Sequence, residues 1–220
     1  GFKLAWSIVI LLVPIFGGLF YLIFGTNGMR KNYIQGFDKV HRESEPYRLP
    51  DSAIQHKLRE LDHLAYNQSR YISDFSGYPL RGQTTSHYFA SGEEKFEALK
   101  EELKKAKHFI FLEYFIIEEG LMWNTILDIL ADKAAEGVDV RVIYDDIGSL
   151  QTLPYKYYEE VRKRGIRCAV FNPFRPVLSI RLNNRDHRKI VVIDGNVGFT
   201  GGINLADEYI NVKSPHGHWK

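Results

Sequence analysis

The sequence predicts an α/β fold in which helices flank a mixed, largely parallel sheet, with a transmembrane helix ahead of this domain. In the second half of the chain, short apolar stretches that suit buried strands alternate with longer stretches of helical periodicity. This alternation is typical of sheets whose strands are joined by helical crossovers. The N-terminal segment Leu4–Phe24 has no charged side chain. The 220 residues leave room for one globular domain and appendages.

Residues 1–28 are interpreted as a transmembrane region. At a rise of about 1.5 Å per residue, Leu4–Phe24 would extend about 31 Å as a helix, close to the hydrocarbon thickness of a bilayer. A signal peptide is the alternative, but its apolar region is shorter and ends in a small-residue cleavage site. Basic residues follow the segment, so the positive-inside rule places the downstream domain in the cytoplasm. They are Arg30, Lys31, Lys39 and Arg42.

Residues 29–85 are interpreted as a juxtamembrane stalk that contains a helix. Apolar residues recur at helical spacing and predict one helix from about Asp51 to Gln68. They are Ile54, Leu58, Leu61, Leu64 and Ala65. The apolar face of this helix packs on the domain or lies at the lipid surface, and packing is the commoner arrangement.

Residues 86–220 carry the elements of the α/β domain. The spacing of Ser91 and Glu94 predicts a capping box that opens a helix. Gly137 predicts the end of another helix, because glycine adopts the left-handed conformation that follows many helix ends. The remaining elements in chain order are a strand over 109–117, a helix over 121–136, a strand over 138–144, a helix over 154–165, a strand over 166–171 and a hairpin over 187–202.

Charge and cysteine content narrow the classes of function. The formal net charge is +2, and the basic residues form no long run, so charge gives no indication of nucleic-acid binding. The single cysteine, Cys168, excludes an internal disulfide and lies in a predicted core strand. His216 and His218 resemble a metal pair, but they lack a third ligand nearby, so the sequence predicts an exposed loop and no metal site.

His187, Lys189 and Asp194 have H-x-K-x-x-x-x-D spacing. On an extended strand, His187 and Lys189 would project from one face about 6.6 Å apart, within reach of one phosphate group. Asp194 has the opposite parity and begins a turn, so its geometry favours holding the hairpin together. A solvated basic edge is the alternative. However, the apolar run after Lys189 indicates a buried strand, where a lysine is costly unless it meets an anion.

Three more residues and a glycine pair are further candidates for the site. Gly201 and Gly202 lack side chains, so their amides can approach a phosphate, and Asn204 can donate hydrogen bonds to it. Glu113 interrupts an apolar strand and pairs either with Arg141 or with a cation of the site. Asp145 ends a strand, where α/β sheets place their ligand crevices. It is assigned to loop structure or to hydroxyl binding.

The string from Asn184 to Gly195, followed by Gly201-Gly202-Ile-Asn204, resembles the HKD signature of the phospholipase D superfamily. The flanking residues and the hydrophobic N-terminus resemble the bacterial cardiolipin synthases within that superfamily. The resemblance implies a transferase of the bacterial plasma membrane that needs no cofactor. His187 would attack phosphorus and carry a phospho-histidine intermediate, Lys189 would neutralise phosphoryl oxygens, and Asp194 belongs to the signature.

The same resemblance implies the substrate and the partners. A phosphatidyl group would pass from one phosphatidylglycerol to a second, giving cardiolipin and glycerol. The family carries two HKD halves, so a second half would follow this one, and residues 1–220 alone would be inactive unless two copies pair. The alternatives are a phospholipase D-type hydrolase, a nuclease, and an inactive membrane-anchored scaffold. The absence of a basic groove disfavours the nuclease, and intact His187 disfavours the scaffold.

Overall fold

The structure, a computed structural model, describes residues 2–25, 30–174 and 185–214. The chain divides into two compact units, Gly1–His87 and Tyr88–Lys220, which are treated separately. Two parts of the sequence discussed above, Asn184 and the His216–His218 pair, lie outside the described residues.

The hydrophobic N-terminal segment is divided into short helical pieces. These are α1 (Phe2–Leu12), α2 (Pro14–Phe20) and a π-helical turn (Tyr21–Gly25). The division falls at Val13 (φ −138°), because Pro14 has no N–H to donate to the preceding turn. Within the described ranges, no single helix has both the length and the apolar character needed to cross a bilayer. The transmembrane helix over Leu4–Phe24 therefore stays a prediction.

The rest of the first unit contains three α-helices and a short 3-10 helix. They are α3 (Arg30–Ser44), the 3-10 helix (Glu45–Tyr47), α4 (Ser52–Leu61) and α5 (His63–Ser76). The prediction of one helix over residues 51–68 is wrong. Asp62 is extended (φ −153°), and its carboxylate accepts the N–H groups of Leu64 and Ala65. This side chain caps α5 and ends the continuity with α4.

The second unit is a five-stranded sheet with three α-helices. Its elements are α6 (Gly92–Lys105), β1 (Phe109–Tyr114), α7 (Leu121–Ala135), β2 (Asp139–Asp145), α8 (Tyr157–Lys163), β3 (Arg167–Phe171), β4 (Ile190–Ile193), β5 (Val197–Thr200) and a 3-10 helix (Asp207–Ile210). The strand order is β3-β2-β1-β4-β5. The first three strands are parallel, whereas β4 runs antiparallel to both β1 and β5. The predicted mixed α/β sheet is confirmed, with a larger antiparallel share than expected.

Two helix ends lie where the sequence predicts them, whereas α8 (Tyr157–Lys163) is shorter than the predicted 154–165. The Ser91 hydroxyl accepts the Glu94 N–H at 3.3 Å, and the Glu94 carboxylate accepts the Ala90 N–H at 3.1 Å. This resembles a capping box, except that Glu94 reaches the N–H of the residue before the N-cap Ser91. Gly137 follows α7 with φ +93°, a conformation that L side chains rarely adopt.

The core lies between one face of the sheet and the helices. Along β1, Ile110, Leu112 and Tyr114 are buried, whereas the alternate residues Phe109, Phe111 and Glu113 are only partly covered. The buried face packs against α6, α7 and α8. Trp123 of α7 is fully buried, and its indole N–H donates to the Tyr157 hydroxyl at 2.8 Å. Cys168 is buried in the same core, as predicted.

Two strands are shorter than predicted, and both differences affect the site. β1 ends at Tyr114 rather than Ile117, because the chain bends at Phe115 and Ile117 forms an isolated bridge with Leu205. β4 begins at Ile190 rather than His187, so the histidine and Lys189 lie on the segment that leads into the strand.

Candidate active site

The candidate residues meet at one edge of the sheet. Glu113 pairs with Ile190, and Ile190 pairs with Thr200, so the end of β1, the start of β4 and the end of β5 lie together. The parallel neighbour β2 ends at the same edge with Asp145. This edge therefore gathers the segment that contains His187 and Lys189 and the loop that begins at Gly201.

His187 and Lys189 contact the same aromatic ring. The centroids of the His187 and Phe115 rings are 4.7 Å apart, and the Lys189 Nζ lies 5.1 Å from the Phe115 centroid. Phe115 reaches both because the chain turns away from the sheet directly after β1. The imidazole is exposed, whereas Lys189 is buried. The structure thus places the exposed imidazole and the buried ammonium on one aromatic ring, and their catalytic roles stay a prediction.

Lys189 is held in place by its own segment. Its Nζ donates to the backbone carbonyl of His187 at 2.7 Å. Burial lowers the pKa of Lys189, and the charge of Asp186 opposes this shift. An ammonium has three N–H donors, so this carbonyl leaves two for an anion. A phosphoryl oxygen beside His187 would supply the negative charge that this partly desolvated cation lacks.

Asp145 fixes the segment that precedes His187. Its carboxylate is fully buried and accepts the backbone N–H of Asp186 at 2.9 Å and that of Gly148 at 3.0 Å. The Arg185 guanidinium adds an ion pair at 3.2 Å. Of the two roles considered from the sequence, loop structure fits these contacts. With its oxygens so occupied, Asp145 acts by positioning the His187 segment.

Glu113 belongs to a group of charges beside His187. It forms an ion pair with Arg188, which also pairs with Asp186 at 2.9 Å. The suggested pairing of Glu113 with Arg141 is wrong, because Arg141 pairs with Asp139 two residues away on its own strand. Glu113 instead pairs with a cation of the site, Arg188, which was the second alternative.

The two carboxyl groups in this cluster titrate differently. Burial, together with a hydrogen bond that Glu113 donates to Asp186 and the charge of Asp186, raises the pKa of Glu113 to about 7, and Arg188 opposes the shift. Burial acts to raise the pKa of Asp186 as well, but hydrogen bonds from Glu113 and Arg188 outweigh it and lower that pKa. Below about pH 7, Glu113 therefore holds a proton that it donates to the Asp186 carboxylate.

Replacing Glu113 with glutamine is expected to flatten the dependence of stability on pH between about 4.5 and 7. In this window the folded state keeps a proton on Glu113 that the unfolded chain releases, so stability falls as pH rises. A glutamine amide donates to Asp186 at every pH, which removes this slope. Urea unfolding at several pH values measures it. Glu97→Gln on the exposed face of α6 is the control, and an equal change of slope there would contradict the assignment.

Asp194 lies at the other end of β4 from His187. Its carboxylate accepts the backbone N–H groups of Lys107, His108 and Phe109, each at 2.8 Å. These hydrogen bonds, with that of Phe109 the largest cause, lower the pKa of Asp194. The grouping of Asp194 with the catalytic residues is therefore corrected. It holds the β4–β5 turn against the start of β1, which is the role that its parity favoured.

Asn204 and the glycine pair follow β5. Asn204 is buried, its amide oxygen accepts the Ile116 N–H at 3.0 Å, and its Nδ2 donates to the Tyr209 hydroxyl at 2.9 Å. These two hydrogen bonds attach the loop after β5 to the end of β1. The second N–H of the Asn204 amide remains available to a phosphate. Gly201 and Gly202 are exposed at the same edge. Their role in binding phosphate stays a prediction.

Several residues that build the site were not identified from the sequence. Asp186 is buried and contacts Asp145, Arg188 and Glu113. In the sequence, its position next to His187 was the only indication that it belongs to the site. Phe115 was predicted to lie within the strand over 109–117, whereas it lies at the bend after β1. Ser149, also buried, accepts the Ile117 N–H at 3.1 Å and so supports the bend after β1. Across the described ranges, no group of three or more His, Cys, Asp or Glu residues is arranged to hold a metal ion.

Comparison with known proteins identifies the family. Residues 99–213 match the family described as cardiolipin synthase, phospholipase D-like domain. The chain belongs to this family. Residues 1–25 also match the phospholipase D-nuclease N-terminal family. The superfamily predicted from the HKD signature is thereby confirmed, and the site at the sheet edge lies within a phospholipase D-like domain.

Similar proteins occur in bacteria. An uncharacterized protein of Streptococcus mutans is 45% identical over 99% of this chain and 47% of its own length. Cardiolipin synthase 2 of Bacillus anthracis is 36% identical over 99% of this chain and 42% of its own length. The phospholipase D family member Nuc from Salmonella typhimurium aligns with 51% of this chain and 66% of its own, at 18% identity and a TM-score of 0.41. The chain thus spans less than half the length of the first two relatives.

Proposed function

We propose that this chain is one catalytic half of a cardiolipin synthase, a membrane-associated phosphatidyltransferase. The observation that carries the proposal is the exposed His187 imidazole next to the buried Lys189 ammonium on the Phe115 ring. A nucleophile and a fixed cation on one surface suit phosphodiester exchange, in which negative charge on phosphoryl oxygens must be stabilised. The relatives named cardiolipin synthase match the chain over almost its full length and support the same assignment.

The first step transfers a phosphatidyl group to the protein. An imidazole nitrogen of His187 attacks the phosphorus of phosphatidylglycerol, forming an N–P bond as the bond from phosphorus to the glycerol headgroup oxygen breaks. Lys189 holds the nonbridging oxygens through the N–H donors that the His187 carbonyl leaves available. Glycerol leaves after its oxygen takes up a proton. A histidine of a second HKD half supplies that proton.

The second step releases cardiolipin. A headgroup hydroxyl of another phosphatidylglycerol attacks the phosphorus, its proton returns to the general base, and the N–P bond breaks to restore His187. One phosphodiester bond is broken and one is made, so the exchange needs no nucleotide and no cofactor. Asp145 and the charges around Glu113 keep the His187 segment in position throughout.

The surroundings of the domain belong to the same proposal. A helix over Leu4–Phe24 anchors the protein in the bacterial plasma membrane, beside its lipid substrates. The basic residues that follow it favour a cytoplasmic position for the catalytic domain. The acid and base come from a second HKD half in the remaining length of the protein, which the relatives' greater length supports.

Phosphatidylglycerol labelled in its glycerol headgroup and in its acyl chains tests the proposal with the full-length protein in mixed micelles. We expect acyl label in cardiolipin and headgroup label in both cardiolipin and free glycerol. Phosphatidic acid as the main product would indicate a hydrolase instead. Unchanged lipid would indicate a scaffold and would overturn the assignment as an enzyme.

A further inference from the structure

Lys95 is a buried cation that the mechanism above does not use. It lies on α6, four residues after the capping Ser91, and only 6% of its surface is exposed. Across the described residues, its Nζ has no hydrogen-bond partner. Burial lowers the pKa of Lys95, and no carboxylate counteracts this effect. The ammonium is therefore taken out of water without the compensation that buried charges normally have.

This arrangement costs free energy, which argues for a ligand. A buried lysine without a counterion is unfavourable, and a methionine would fill the same space without the charge. Other lysines of α6, including Lys100 and Lys104, pair with glutamates one turn away at the helix surface. Lys95 instead is buried within the second unit, where it forms no ion pair with any described side chain.

The ammonium lies under the glycine pair of the site. A Cβ atom built on Gly201 would be 3.5 Å from the Lys95 Nζ, so any longer side chain at this position would cover the ammonium. Gly201 and Gly202 are both exposed. The Lys95 ammonium therefore lies beneath an exposed stretch of backbone that carries no side chains.

Strand register relates this position to Lys189. Thr200 pairs with Ile190, so Gly201, which follows β5, and Lys189, which precedes β4, extend from the same end of this strand pair. Phe199 and Val191 are buried on the face that packs against the helices, and Lys189, two residues before Val191, is buried as well. Lys95 approaches from α6 and Lys189 from the β4 segment, at the same edge of the sheet.

We propose that Lys95 is a further phosphate-binding residue, whose ammonium donates to an oxyanion that sits on the Gly201–Gly202 backbone beside Lys189. The ligand chemistry is a phosphate oxyanion, from a lipid phosphodiester or from free phosphate. Backbone amides of glycines and a lysine ammonium are complementary to such an oxygen. The assignment of the lipid as the natural ligand rests on the function proposed above, whereas the anion site itself does not.

Lys95→Met in the full-length protein tests this site. We expect the dissociation constant for inorganic phosphate to rise about tenfold or more, as measured by calorimetry, because a charge-assisted hydrogen bond is lost. KM for short-chain phosphatidylglycerol should rise similarly if the lipid phosphate occupies the site. The melting temperature should be unchanged or higher, since the variant removes an unpaired buried charge. Lys104→Met, on the exposed side of α6, is the matched control and should alter none of the three.

The outcomes separate the anion site from the proposed function. Weaker phosphate binding without a change in KM assigns Lys95 to free phosphate, whatever reaction the protein catalyses. Weaker phosphate binding in a protein that forms no cardiolipin would support Lys95 while refuting the synthase. Unchanged phosphate binding, or a lower melting temperature, would overturn the proposal. Lys95→Gln, which is neutral but polar, serves as the second variant, and failure of both variants to fold would show that the ammonium is structural.

Discussion

Replacing His187 with alanine in the full-length protein is expected to lower the rate of cardiolipin formation by about four orders of magnitude or more. Loss of the nucleophile removes the covalent route, and comparable deletions in other covalent enzymes have effects of this size. Because the imidazole is exposed and contacts mainly Phe115, stability should change by no more than about 0.5 kcal/mol. Turnover of labelled phosphatidylglycerol measures the first quantity and urea unfolding the second.

A trapping experiment separates a nucleophilic His187 from one that only binds. With acyl-labelled phosphatidylglycerol, the unaltered protein should retain label after denaturation in alkali, where phospho-histidine is more stable than in acid. The His187→Ala variant should retain none. His56→Ala, an exposed histidine of α4, is the control and should be labelled normally. Equal labelling of the His187 variant would refute the proposed intermediate.

Replacing Asp145 with alanine is expected to reduce the free energy of unfolding by about 3–5 kcal/mol, the usual effect of removing one partner from a buried ion pair. The change leaves Arg185 without its carboxylate and the N–H groups of Asp186 and Gly148 without an acceptor. Activity should fall as well, because the segment that carries His187 is no longer fixed at its start. Urea unfolding and turnover are the measurements.

Two variants make this result specific. Asp145→Asn keeps one oxygen acceptor but loses the charge, so its destabilisation should be smaller than that of the alanine variant. Asp139→Ala removes a carboxylate at the opposite end of the same strand, where it pairs with Arg141 at the surface. A change in stability equal to that of the Asp145 variant would contradict the central position assigned to Asp145.

Local patterns were sufficient for much of the fold and for the reactive pair. The Ser91 capping box, the helix end at Gly137 and the buried strand β4 follow from hydrogen-bonding capacity and hydrophobic periodicity, which act over a few residues. The proximity of His187 and Lys189 was expected from their two-residue spacing, although both lie on the segment before β4. The break at Asp62 was missed because apolar spacing continues through it, whereas the capping hydrogen bonds of its carboxylate depend on backbone geometry.

Contacts between distant segments could not be predicted in the same way. Glu113 meets Arg188 across the β1–β4 pairing, and Arg141 appeared equally suitable until the order of the strands was known. Lys95 has the sequence context of a lysine on a solvated helix, and only the packing of α6 buries it. Such contacts depend on the order of the strands and the packing of the helices. These are determined by the whole sequence and not by a local pattern within it.

Carboxylates attach both ends of β4 to neighbouring strands. Before β4, Asp145 at the end of β2 accepts the Asp186 N–H. After β4, Asp194 accepts three N–H groups just before and at the start of β1. This double attachment protects against slippage of the strand. A shift of β4 by one residue would turn Lys189 and His187 to the opposite face of the sheet, and the nucleophile would lose its cation. Two aspartates whose carboxylates bind backbone N–H groups thereby determine which surface of the sheet carries the candidate site.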